Sequence, residues 1–156
     1  MKAAMQITIT PEPPRQPELL ELLRLSDEFA LSLYPAESCY MLDVDELEAE
    51  GVAVLVARAG ADAVGIAALV DRGDGSGEIK RMFVHDSARG HGVARALLAA
   101  IDDAAQAGGI RTLQLETGPE HTAAIALYLA SGFTVIPNFG QYFGDAFSVC
   151  MEKRLT

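Results

Sequence analysis

The run Arg89-Gly90-His91-Gly92-Val93-Ala94 combines a cation, two glycines and the start of an apolar helical pattern, the ingredients of an anion cradle. Residues 78–84 before it are rich in β-formers, and a turn cluster at 71–77 introduces them. After it, Val93, Leu97, Ile101 and Ala104 recur at helical spacing, with Ala94, Leu98 and Ala105 beside them. A glycine-rich turn that opens a helix presents free backbone amides at the positive end of the helix dipole, and glycine lets a phosphate approach closely. The chemistry this indicates first is the binding of a nucleotide-containing cofactor.

Spacing discriminates among such cofactors. A phosphate-binding loop of NTPases ends in Gly-Lys-Ser/Thr, whereas Gly92 is followed by Val93 and Ala94. A dinucleotide fingerprint needs glycines at its first, third and sixth positions, and the sixth position counted from Gly90 is Arg95. Glu116 lies about where a ribose-binding acid would sit, so the dinucleotide reading stays open as a minor alternative. Against it, residues 86–89 already separate the strand from the first glycine, and more strands precede this unit than such a fold would have.

The elements that must position the loop read as a mixed α/β chain. Residues 6–10 alternate like a short strand and stop at Pro11, Pro13, Pro14 and Pro17. Leu19, Leu22, Leu23, Phe29, Ala30 and Leu33 trace a helical stripe ending near Pro35, and residues 43–50 form a short acidic helix closed by Gly51. Residues 52–58 and 64–71 read as paired strands, and 73–77 as the hairpin turn into the next. Gly108 and Gly109 stop the loop's helix, and 112–117 is the following strand. A helix over 121–131 ends at Gly132, and 133–136 and 147–153 close the sheet around an aromatic loop. No internal repeat divides the chain, so residues 1–156 are read as a single domain.

Composition narrows the partners. The chain has 156 residues, half of them apolar, which suffices for one core. Its formal net charge of −10 argues against nucleic acid and anionic membranes, because Lys and Arg must neutralise phosphates in such complexes. Cys39 and Cys150 are too few for a disulfide scaffold, and neither they nor the three histidines show metal-ligand spacing; no metal is expected. Residues 1–10 lack the apolar run of a leader and no segment is long enough to span a bilayer, so a cytoplasmic location is expected.

One pattern fits the loop: Arg/Gln-x-x-Gly-x-Gly/Ala, matched by Arg89, Gly92 and Ala94. With the strand over 78–84 and the later Ala124-Ile125-x-Leu127-Tyr128-x-x-x-Gly132-Phe133, the chain resembles the GCN5-related N-acetyltransferase (GNAT) superfamily from about Val52 to its C-terminus. The resemblance implies a central, mostly antiparallel mixed sheet that splays at the cofactor site, flanked by helices. It implies acetyl-coenzyme A as co-substrate and direct transfer to a primary amine in a ternary complex. Backbone groups of Met82, Phe83 and Val84 would bind pantetheine, and the amides of Arg89, Gly90, His91, Gly92, Val93 and Ala94 would hold the pyrophosphate. Arg89 would add charge near a phosphate, unless it is simply a surface arginine.

Glu78 matches the strand position where some members keep a general base; the competing reading is a strand carboxylate paired with Lys80 or Arg81. Tyr128 matches the tyrosine that protonates the leaving thiolate, and shares a helical face with Ala124 and Leu127, as a packing residue also would. Where the family often carries Asn, seven residues before the tyrosine, this chain has His121. It can donate one hydrogen bond to pantetheine or serve as a polar helix start in solvent.

Specificity must come from outside this frame. Tyr34 and Ser38 follow the N-terminal helix, where the superfamily places its acceptor loop, and Phe139 and Tyr142 lie in an aromatic loop suited to a pocket wall, with local packing or a dimer contact as the alternative. Phe-Gly-x-Tyr at 139–142, followed by Ser148, Met151, Glu152 and Lys153, looks like a bacterial subgroup of these acetyltransferases. Lys80 and Arg81 are strand neighbours and face opposite sides unless a bulge intervenes; either could then hold a substrate carboxylate. A small-molecule amine is the expected acceptor, with homodimerisation compatible with the resemblance. Protein or peptide N-terminal acetylation and non-catalytic acyl-coenzyme A binding are the rival functions.

Overall fold

Unbroken apolar runs on the central strands demand cover on both faces, and helices supply it on each side of one seven-stranded sheet. The structure, a computed structural model, describes residues 5–155; the first four residues of the segment read above as lacking a leader lie outside them. In chain order come β1 (Ile7–Pro11), α1 (Pro17–Leu33), α2 (Val44–Leu47), β2 (Val52–Ala59), β3 (Asp62–Asp71) and β4 (Ser76–Val84). Then follow α3 (Val93–Ala107), β5 (Thr112–Thr117), α4 (Thr122–Ala130), β6 (Thr134–Ile136) and β7 (Val149–Arg154). The strand order is β1-β2-β3-β4-β5-β7-β6, and every neighbour pair is antiparallel except β4 with β5. A lone parallel pair, bridged by α3, removes the dinucleotide alternative, which requires a doubly wound parallel sheet. The mixed, mostly antiparallel sheet is the one expected from the sequence.

On one face α3 buries Leu97, Ile101 and Ala105 against Leu55, Ala67, Leu69 and Ile79, the i, i+4 stripe read from the sequence. The helix sits close because β3 offers Gly65: a Cβ there would lie 3.0 Å from Val93 Cγ1 and 3.3 Å from the Phe83 carbonyl. The other face is covered by α1 and α2, through Leu19, Leu22, Leu23 and Leu47 on Val54, Val56, Ile66 and Ala68. The expected apolar stripe on α1 divides along its length. Its first half is core, whereas Phe29 and Leu33 stay exposed, because the sheet beneath them opens.

That opening is the feature that positions the site. β4 and β5 pair from Ser76↔Thr112 to Ile79↔Leu115 and no further. Beyond the fork, β4 keeps its bonds to β3 while β5 follows β7, so each strand leaves one edge free. Among the described residues, no helix is long and apolar enough to cross a membrane.

Candidate functional site

A cavity of about 480 Å³ occupies the fork. β4 contributes Lys80 to Val84 to its wall, β5 contributes Glu116 and Thr117, and α4 contributes Ala124, Leu127 and Tyr128. Arg89 and Ala94 line its α3 end, and Tyr34 and Ser38 line it from the end of α1 and the segment after it.

The expected phosphate loop has the required form. Gly90 and Gly92 adopt φ of 80° and 77°, the left-handed region that glycine enters freely, and Gly92 caps α3. The Arg89 amide, expected among the phosphate donors, instead donates to the Asp86 carbonyl at 3.2 Å. Those of Gly90, His91, Gly92, Val93, Ala94 and Arg95 have no hydrogen-bond partner among the described residues; the first amide to bond back is that of Ala96, to the Gly92 carbonyl. Six free donors at the start of a 15-residue helix make an anion site. The Val93 side chain is buried in the core, so only its amide is available, and the Gly90, His91 and Gly92 side-chain positions lie outside the cavity wall. Arg89 pairs with Asp86 at 3.1 Å, and its guanidinium lies 5.7 Å from the centre of the Phe29 ring.

Phe29 in turn stacks on His121, ring centres 5.2 Å apart. The His121 Nδ1 is 3.2 Å from the Thr117 hydroxyl, while its buried Nε2 has no partner among the described residues. Burial lowers the His121 pKa, favouring the neutral ring that keeps one N–H to donate. Tyr34 packs edge-on against the same ring, and its hydroxyl accepts the Glu120 amide at 2.8 Å. That approach requires Gly118: a Cβ there would fall 2.1 Å from the Tyr34 ring and hydroxyl.

Tyr128 is buried and lines the cavity beside Ala124 and Leu127; burial pushes its phenol up to about 12, so it stays protonated at neutral pH. Glu78 has a different setting from the one expected. It lies one pair before the end of the β4–β5 ladder, opposite Gln114, and does not line the cavity. Its carboxylate pairs with Arg72 at 2.8 Å and accepts the Tyr142 hydroxyl. Phe139 and Tyr142 also sit behind the wall: Tyr142 is buried, accepts a hydrogen bond from Lys80 at 2.7 Å, and packs edge-on against Phe139 and Tyr40.

The carboxyl that does reach the cavity is Glu116, the first β5 residue past the fork. Burial pushes it up to about 7, against the opposing pull of the Ser148 hydroxyl, which donates to it at 2.7 Å, and of the Lys80 charge. The cavity is thus lined by a carboxyl near 7, able to accept a proton, and a phenol near 12, able to donate one.

A sheet forked around a cavity, with a loop of free amides at one end and a carboxyl and a phenol in its lining, suits an acyl-transferring enzyme. The chain matches the acetyltransferase (GNAT) family model over residues 17–133, and it belongs to that family. It is 42% identical over 150 residues to an IAA acetyltransferase of Azospirillum brasilense, covering 96% of this chain and 98% of that protein. A crystal structure from Klebsiella pneumoniae assigned as an acyl-CoA N-acyltransferase superposes with a TM-score of 0.83 at 33% identity, covering 97% of this chain and 99% of that one. A GNAT family acetyltransferase from Elizabethkingia anophelis with acetyl-CoA bound shares the fold, with a TM-score of 0.72 at 19% identity over 96% of this chain and 98% of that one.

Proposed function

We propose that the chain moves an acetyl group from acetyl-coenzyme A directly to a primary amine of a small molecule, with both substrates bound together. The observation that carries this reading is the placement of Glu116 and Tyr128 in one cavity whose far end is the free-amide loop. The loop amides and Arg89 hold the pyrophosphate. Pantetheine lies in the fork along the free edge of β4 at Met82, Phe83 and Val84, and takes a hydrogen bond from the His121 Nε2.

The reaction needs an amine that is mostly protonated in water: at a pKa near 10.4, about one molecule in a thousand or fewer is free base at neutral pH. Glu116 removes that proton, directly or through a water; its affinity for protons is better matched to the task than that of an ordinary carboxylate. The amine nitrogen attacks the thioester carbonyl and a β4 amide stabilises the oxyanion; the carbonyl then re-forms as the C–S bond breaks, Tyr128 gives its proton to the thiolate, and the nitrogen's surplus proton passes to the phenolate, leaving a neutral amide. Glu78, engaged by Arg72 and Tyr142, is given a positioning role in place of the base expected from its strand position.

A small acceptor is favoured because the fork holds a concave cavity of about 480 Å³ with Tyr34, Ser38 and Tyr40 in its lining, a volume suited to a small molecule. The IAA acetyltransferase relative carries a small-molecule name as well. The test is thiol release from acetyl-coenzyme A with a panel of small amines and a panel of peptides. Turnover confined to small amines supports the reading. Turnover confined to peptide N-termini overturns its acceptor half, and turnover of neither with tight cofactor binding overturns catalysis.

A further inference from the structure

β4 carries a bulge at the place where the acceptor must lie. Its register against β3 steps from Ala68↔Lys80 to Ile66↔Phe83, and Arg81 adopts φ of 59°, the one non-glycine residue with positive φ among those described. Such a conformation costs about 1–2 kcal/mol, so its surroundings must hold it there. Its consequence is geometric. Adjacent strand residues normally face opposite ways, but here Lys80 and Arg81 both turn to the α1 side and both line the cavity.

Neither cation is fully answered. The Lys80 side chain is 7% exposed and its ammonium donates to two neutral oxygens, the Tyr40 carbonyl at 2.8 Å and the Tyr142 hydroxyl at 2.7 Å. Its nearest carboxylate, Glu78, is 3.8 Å away and already paired with Arg72. A third N–H therefore remains. The Arg81 side chain is 3% exposed; it donates to Asp27 at 2.6 Å and to the Leu23 carbonyl at 3.0 Å, and its Nε has no partner among the described residues. Asp27 is 45% exposed, so water screens much of what it offers. In a chain of net charge −10, the acceptor end of the cavity thus holds two buried cations with spare donors. A buried charge short of partners is costly, and an anionic ligand relieves it.

The anionic groups of the cofactor belong at the other end. From Lys80 to Val84 the strand runs about 13 Å before the turn to Arg89. Across the fork, the residue after the last β4–β5 pair is Lys80 on one strand and Glu116 on the other, so a base and a cation face one small volume. We propose that the acceptor is a carboxylate-bearing primary amine of the amino-acid class, its carboxylate held by Lys80 and Arg81 while its amine faces Glu116. This rests on the reading of the cavity as the acyl-transfer site.

The experiment measures thiol release for the common amino acids, each beside its carboxamide and its decarboxylated amine, with acetyl-coenzyme A affinity measured separately by calorimetry. The expected result is a kcat/KM for at least one free amino acid that exceeds both of its uncharged-carboxyl counterparts by tenfold or more, and loss of that preference in Lys80→Met through a raised KM. The comparison within the native protein stands even if the variant folds poorly. Carboxamides or decarboxylated amines accepted as well as the acids overturn the proposal, as does intact cofactor binding with no amino acid accepted. Absence of acetyl-coenzyme A binding instead overturns the underlying reading.

Discussion

Replacing Glu116 by Gln separates the catalytic role proposed for it from its effect on stability. The folded protein raises this carboxyl from 4.5 to about 7, chiefly by burial, so the folded state holds its proton more tightly than the unfolded chain does. The sign follows. Stability is unaffected by this group below the unfolded value, and falls as pH rises through the folded value, because ionisation is then harder in the fold. The full span corresponds to about 3 kcal/mol at 1.36 kcal/mol per unit. Glu116 keeps one side toward the open cavity, where water screens the charge, and about 2 kcal/mol is the expected share. Gln is never charged, so the variant's melting temperature should match the native value near pH 4.5 and exceed it by about 4–8 °C at pH 8.5. In parallel, native kcat/KM should rise with pH through about 7, and the variant should lose that limb and about 10²–10⁴-fold in rate. Thermal melts and initial rates across pH 4.5–8.5 check both. Melting curves that stay parallel, or a variant with native rates, would refute the assignment of Glu116 as a buried base.

Tyr128→Phe should lower kcat by about 10–100-fold with acetyl-coenzyme A affinity unchanged, since the phenol acts only on the departing thiolate; pre-steady-state thiol release beside calorimetry checks this. Gly118→Ala should lower the melting temperature by several degrees and raise the acceptor KM, because the added Cβ displaces the Tyr34 ring and breaks the Glu120–Tyr34 bond. Unchanged melting and kinetics would mean that Tyr34 is not held as described.

What the sequence made legible was whatever depends on local pattern. The α3 stripe, the glycine turn before it and the strand at Thr112–Thr117 are readable because one helix or strand repeats its own period. The fork is less local, and with it goes which strand glutamate reaches the cavity. Glu78 and Glu116 are both strand glutamates, and only the register separates them: Glu78 pairs inside the ladder and Glu116 stands just past its end. The position where two parallel strands part was the available signal, but pairing cannot be counted from one strand alone. The bulge at Arg81 was hidden for a similar reason, since nothing in Lys80-Arg81-Met82 is a glycine that would mark it. Phe29 reads as core by spacing and becomes cavity wall because the sheet beneath it opens. Phe139 and Tyr142 read as a wall and lie behind one, where Tyr142 supports Lys80.

Acetyl-coenzyme A is proposed to enter the fork with its pyrophosphate on the amides from Gly90 to Arg95. Calorimetric titration with acetyl-coenzyme A, with NAD and ATP as controls, on the native chain and on Gly92→Val is the decisive test. Position 92 has open space around it but φ of 77°, so valine strains the loop turn without crowding the core. Selective binding of acetyl-coenzyme A by the native chain, weakened at least tenfold in a variant that still melts cooperatively, is the predicted result. Equal binding by both proteins, or no preference over NAD and ATP, would contradict it.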